Sequence, residues 1–184
     1  MRLFVAVNIP DEIRESLFAF QNELKMSLAD VKWIDKNQFH LTLKFLGDTE
    51  ENSIENIVNG VSKAVLKLKP FKLSFLKIGV FPDIKRPKVI WAGVGEGKDE
   101  LRKIAQDIEH NLDALGFQKE KREFSAHLTL GRFRSLKNKE ALISKILRKD
   151  KIPLGSFEVK SIELIQSILH PCGPEYKCLK SIFI

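Results

Sequence analysis

The tetrapeptide HLTL stands at residues 40–43, within FHLTLKFLG (39–47), and again at 127–130, within HLTLGRFR (127–134), an offset of 87 residues. With four histidines and three threonines in 184 residues, random shuffling would give about 0.07 His-x-Thr pairs, so two copies signal a duplication. The offset extends outward. Leu3-Phe4-Val5-Ala6-Val7 falls on Ile90-Trp91-Ala92-Gly93-Val94, and both runs read as strands. After the first, Asp11 opens a helical pattern of Ile13, Leu17, Phe20 and Leu24. After the second, Asp99 precedes Leu101, Ile104, Ala105, Ile108, Leu112 and Leu115, with Gly116 as a natural stop. Each HLTL is followed by a further helical pattern: Ile54, Ile57, Val58, Val61, Val65 and Leu68, then Leu142, Ile143, Ile146 and Leu147. Phe71 to Val80 and Phe157 to Leu169 close the two units as strands, Trp33 marks a short extra strand, and Tyr176 to Ile184 reads as a terminal one.

The plan is therefore strand, helix, strand, helix, strand, twice over. We expect one bilobal domain over residues 1–184, with repeat units of about 1–86 and 87–170 and a C-terminal strand at 176–184. Each half is small for an independent core, so the lobes should pack as a pseudo-twofold pair.

Composition narrows the classes without choosing one. The chain is 43% hydrophobic and 30% charged, enough to bury a core, and no apolar run approaches the roughly 20 residues of a membrane-spanning helix. MRLFVAVNIP turns polar at Asn8 and Asp11 where a secretory peptide would stay apolar, so the expectation is a cytoplasmic protein with no membrane partner. Lys and Arg exceed Asp and Glu by 31 to 24, and the excess is spread over both halves. Such a balance favours polyanionic partners, although a heat-adapted surface explains surplus lysines equally well. Cys172 and Cys178 form no CxxC pair and are expected to pack rather than to bind zinc.

In an extended strand, residues i and i+2 share a face. His40, Thr42 and Lys44 should thus oppose Phe39, Leu41, Leu43 and Phe45, and His127 and Thr129 should oppose Ala126, Leu128 and Leu130. Two imidazoles facing each other across a groove suit in-line displacement at phosphorus: a neutral ring takes a proton from the nucleophile and a protonated one gives a proton to the leaving oxygen. The hydroxyls of Thr42 and Thr129 would donate to the nonbridging oxygens, each contact contributing roughly 1.5–3 kcal/mol. The arrangement requires no metal.

FHLTLKFLG and HLTLGRFR resemble the paired His-x-Thr-x signatures of the two-histidine phosphoesterases, and in particular those of the RNA 2′,3′-cyclic phosphodiesterases, also called 2′-5′ RNA ligases. FPDIKRPKVIWAGV (81–94) and GPEYKCL (173–179) resemble further segments of that family. The resemblance implies an α+β fold of two mainly antiparallel sheets with helices outside and a positively charged cleft between the lobes. It implies hydrolysis of a 2′,3′-cyclic phosphate at an RNA end, with tRNA fragments among the candidate substrates, to a 2′-phosphomonoester, without cofactor or ATP; a monomer is the default expectation. By the same likeness, His127 is the base that activates water, His40 the acid that protonates the departing 3′ oxygen, and Thr42 and Thr129 hold the phosphate, with the two histidine roles open to exchange. Ligation is the related reaction in which a 5′-hydroxyl replaces water. Arg132 matches a phosphate-binding arginine, although strict alternation points it away from His127 unless Gly131 permits a bulge. Ala126 stands where many relatives carry proline.

Lys85 and Arg86 are candidate RNA contacts in a Pro-containing loop, and Phe81 and Phe133 are candidate base-stacking residues, with a solvated loop and core packing as the plainer readings. His110 and His170 are expected to be surface or structural residues. Two other functions compete: the same site acting on a small cyclic phosphonucleotide or a 2′-5′ oligoadenylate, and an RNA-binding module without turnover.

Overall fold

The computed structural model describes residues 1–149, 151–171 and 173–184, which leaves Cys172 outside the described residues. The chain runs β1 (Arg2–Asn8), α1 (Asp11–Lys25), β2 (Val31–Trp33), β3 (His40–Asp48), α2 (Ile54–Val65), β4 (Phe71–Phe81), β5 (Val89–Val94), α3 (Lys98–Asp113), β6 (His127–Phe133), α4 (Lys139–Arg148), β7 (Ser156–Val159), β8 (Ser161–His170) and β9 (Gly173–Phe183). It is an α+β fold of two antiparallel sheets, ordered β3-β1-β8-β9 and β2-β6-β5-β4-β7. The helices form where the apolar spacing predicts them: α1 buries Ile13, Leu17, Phe20 and Leu24, and α3 buries Leu101, Ile104, Ala105, Ile108 and Leu112. Beyond α3, Gly116 takes φ +88°, a left-handed turn that glycine adopts at little steric cost, and its N–H bonds the Asp113 carbonyl. No helix among the described residues is long and apolar enough to cross a membrane.

The repeats exchange parts. β4, which ends the first repeat, pairs with β5, and β8, which ends the second, pairs with β1. The helices cross over as well. From α1, Gln21 Nε2 donates to the Leu130 carbonyl of β6 at 2.9 Å, while from α3, Glu109 holds Lys44 of β3 at 2.6 Å. Gln21 donates also to the Ile34 carbonyl, which ties β2 and β6 to the same helix. One buried apolar cluster runs from β1 through α1 and α3 to β8, and Phe4, Ala6 and Ile165 form a second, smaller one against which Tyr176 packs.

One predicted strand divides. Phe157 to Leu169 is expected as a unit, but β7 pairs with β4 in the second sheet and β8 with β1 and β9 in the first. Lys160 lies between them, and the alternation that begins FEVKSIELI continues through two different hydrogen-bonding environments.

Candidate active site

The HLTL strands β3 and β6 pack against each other where the two sheets meet. Each begins at its histidine, and each imidazole is held in the same way. His40 Nδ1 lies 2.7 Å from the Gln38 carbonyl and His127 Nδ1 lies 2.7 Å from the Ser125 carbonyl. A carbonyl only accepts, so Nδ1 carries the proton in both rings and Nε2 is left as the atom that can take or give one. Aromatic rings fix the other side. Phe4 lies 4.8 Å from His40, Tyr176 meets His40 edge-on at 5.0 Å, and Phe81 meets His127 edge-on at 5.2 Å while stacking on Trp91 at 4.9 Å. Phe4 and Trp91 are repeat-equivalent. The indole of Trp91 lies across Gly79, where a Cβ would come within 2.3 Å of it.

The rings differ in solvation. Burial lowers the His40 pKa from 6.5 to about 4; the bond to Gln38 opposes this and the nearby Arg14 guanidinium adds to it. Arg14 is itself a brace, donating to the carbonyls of Ile9, Lys36 and Asn37 and to Asn8 Oδ1, and so fixing the turn that enters β3. Gln38 joins that turn to β9, its Nε2 donating to the Pro174 carbonyl at 2.6 Å. Thr42 and Thr129 are half-buried, and neither hydroxyl makes a protein hydrogen bond among the described residues.

Strict alternation fails in both strands at the same place. Val5 pairs with Lys44 but Ala6 with Thr42, so Leu43 is an extra residue in β3; Ile90 pairs with Gly131 but Trp91 with Thr129, so Leu130 is the extra residue in β6. A bulge of one residue reverses every side chain beyond it. Lys44, expected beside His40 and Thr42, is buried on the opposite face, where its ammonium bonds Glu109 Oε1 at 2.6 Å and the Gln118 carbonyl at 2.9 Å. Phe45, expected on the apolar face, stands 6.1 Å from Phe4 on the face of His40. Arg132 is likewise turned onto the face of His127. Its positive charge acts on Tyr176, whose phenol burial holds above the usual pKa and Arg132 and Arg2 pull back down.

The remaining candidates separate. Phe133, beyond the bulge, is half-buried and packs against the main core. Lys85 and Arg86 are exposed, their backbone N–H groups capped by Asp83 Oδ1, and Lys85 lines a groove against α4. His170 is an exposed partner of Glu175, and His110 is exposed on α3. Cys178, expected to pack, is an exposed free thiol 3.7 Å from Ser181. Sequence reasoning missed Phe4, Tyr176 and Arg14. An aromatic residue at both positions 4 and 91 was the available signal for the first; Arg14 carries no such signal, since three of its four acceptors are backbone carbonyls.

Two sheets meeting along a pair of His-x-Thr strands define a two-lobed phosphoesterase. Solved structures share the fold: TT0787 of Thermus thermophilus superposes with a TM-score of 0.79 at 25% identity, over 100% of this chain and 97% of that one. Escherichia coli LigT in its apo form gives 0.76 at 21% identity, over 98% and 95%. The family description LigT like Phosphoesterase matches residues 7–91 and, a second time, residues 93–176, and the chain belongs to that family. Among its relatives, a Methanocaldococcus jannaschii protein is 38% identical over 98% of this chain and 99% of its own length, and an Archaeoglobus fulgidus protein is 40% identical over 98% of each. Both bear the name RNA 2′,3′-cyclic phosphodiesterase.

Proposed function

We propose that this chain hydrolyses the 2′,3′-cyclic phosphate at an RNA end to a 2′-phosphomonoester, by acid–base catalysis between His40 and His127 without a metal ion. The observation that carries the reading is the matched tethering of the two rings, each with Nδ1 on its own strand's carbonyl and Nε2 left free. The names of the relatives supply the substrate.

His127 Nε2 takes a proton from water as the water oxygen bonds to phosphorus; the P–O3′ bond breaks, and His40 Nε2–H protonates O3′ as it leaves. Thr42 and Thr129, whose hydroxyls lack protein partners among the described residues, donate to the nonbridging oxygens, and Arg132 adds positive charge. In the free protein His40 is neutral at pH 7 because of its burial. A bound phosphodiester anion beside it favours the imidazolium, so substrate binding loads the acid with its proton. With a 5′-hydroxyl in place of water and the two rings in the same protonation states, the same geometry joins RNA ends through a 2′-5′ linkage, and cleavage of that linkage runs with the protonation states exchanged.

Turnover of RNA bearing a 2′,3′-cyclic end in the presence of EDTA tests the proposal, with release of a 2′-phosphate as the expected result. Loss of activity in EDTA overturns metal independence. Activity on small cyclic nucleotides alone reassigns the substrate, and binding without turnover makes the protein an RNA-binding module.

A further inference from the structure

Beyond Phe45, a groove of about 780 Å³ opens between the end of β3 and the segment that follows α3, lined by Phe45, Gly47, Gln118, Lys119, Lys121 and Arg122 among others. We propose that this groove carries the single-stranded RNA that leads to the reacting phosphate on its 5′ side. The inference rests on the reading of the cleft as an RNA-end site, since a 2′,3′-cyclic phosphate terminates a strand and the rest of that strand must leave the cleft somewhere.

Three observations point to this exit. The groove adjoins the catalytic face through its rings: Phe45 lies 6.1 Å from Phe4, which lies 4.8 Å from His40, and the segment that forms the far wall leads in sequence to His127. Phe45 is 62% exposed although its neighbour Phe4 is 3% exposed, which gives a base a free aromatic face to stack on. The wall also offers unpaired cations. Lys119 is paired with Asp113, whereas Lys121 and Arg122 have no ion-pair or hydrogen-bond partner among the described residues; Asp48 and Glu120 share the lining.

The wall is built rather than incidental. The bulge that turns Phe45 into the groove also sends Lys44 beneath the wall, where it bonds the Gln118 carbonyl and Glu109; the second oxygen of Glu109 accepts the Glu120 N–H at 3.1 Å. One ion pair, with Lys44 only 2% exposed, therefore sets the position of the segment that bears Lys121 and Arg122. A single strand fits such a surface, because its bases are free to stack and its phosphates follow the cations.

The test is fluorescence anisotropy with a short, labelled, single-stranded oligoribonucleotide ending in a 2′-phosphate, with the nucleoside 2′-phosphate as competitor. The wild-type protein is expected to bind the oligonucleotide more than tenfold tighter than the nucleotide. Lys121→Ala with Arg122→Ala should remove about tenfold of that affinity and lower the slope of log K against log salt by about 0.7 per lost phosphate contact. Turnover of a nucleoside 2′,3′-cyclic phosphate by this double variant should be unchanged. The proposal is overturned by equal affinity for oligonucleotide and nucleotide, by unchanged oligonucleotide binding in the double variant, by a parallel loss of binding and mononucleotide turnover, or by equally tight binding of a blunt RNA duplex. Absence of turnover in the wild type would instead count against the catalytic reading, and the anisotropy series would still decide the groove.

Discussion

At the scale of single residues, the site depends on what each imidazole is denied. A backbone carbonyl occupies Nδ1 of both rings, so each has one atom with which to act. His40→Ala or His127→Ala should lower turnover by at least about 10²-fold, the usual contribution of a general acid or base. Thr42→Ala or Thr129→Ala should cost roughly tenfold, the loss of one charge-assisted hydrogen bond. Single-turnover kinetics on a cyclic-phosphate RNA measures both, and full activity in either histidine variant contradicts the pair. Burial of His40 also has a cost in stability. With a folded pKa of about 4 against 6.5 unfolded, the unfolded chain binds more protons between those values, so stability falls as pH drops through that window and levels off below it. Denaturant unfolding of His40→Gln from pH 7 to pH 4 should show a shallower decline than the wild type. An identical decline would mean that the ring is not desolvated.

At the scale of the elements, the bulges at Leu43 and Leu130 decide which side chains reach the cleft. Period-2 reading places His40, Thr42, His127 and Thr129 together, because all four precede the bulge in their strands. It misplaces Lys44 and Phe45, which follow it. Arg132 returns to the cleft for the same reason. Nothing local in LTLKF announces the irregularity, whereas Gly131 does: a Cβ there would come within 2.7 Å of Val31 and 3.0 Å of Trp33. Gly131→Ala should therefore destabilise the protein by about 1–3 kcal/mol through overpacking, read by denaturant unfolding, and should weaken phosphate binding as β6 shifts beneath Arg132. The buried pair on the other strand behaves differently. Lys44→Met alone leaves Glu109 without its cation and should cost about 3–5 kcal/mol, while Lys44→Met with Glu109→Leu should recover most of that loss. Equal stability of the single and double variants would show that the pair is solvated.

At the scale of the whole molecule, the duplication was legible and the exchange between its halves was not. An 87-residue offset in HLTL and in the strands at Leu3 and Ile90 fixes what repeats. Periodicity says which residues are buried, but it cannot say against what: α1 follows β1 of the first sheet and bonds β6 of the second, and α3 lies between β5 and β6 of the second and holds β3 of the first. Gln21, 0% exposed on α1, donates across that boundary. Because β4 pairs with β5 and β7, and β1 with β8 as well as β3, residues 1–86 expressed alone lack one of the two partners of β1 and both partners of β4. That fragment should remain unfolded by circular dichroism, and the full chain should unfold in one calorimetric transition; a folded fragment or two separate transitions would contradict the exchange.

The convergence of both rings on one phosphorus is tested most directly by 15N NMR of histidine-labelled protein titrated with a nucleoside 2′-phosphate. The account predicts that the Nε2 resonances of His40 and His127 both move with a single binding constant and that His40 takes up its proton at a higher pH in the complex than in the free protein. Movement of one ring alone, or two different binding constants, would contradict it.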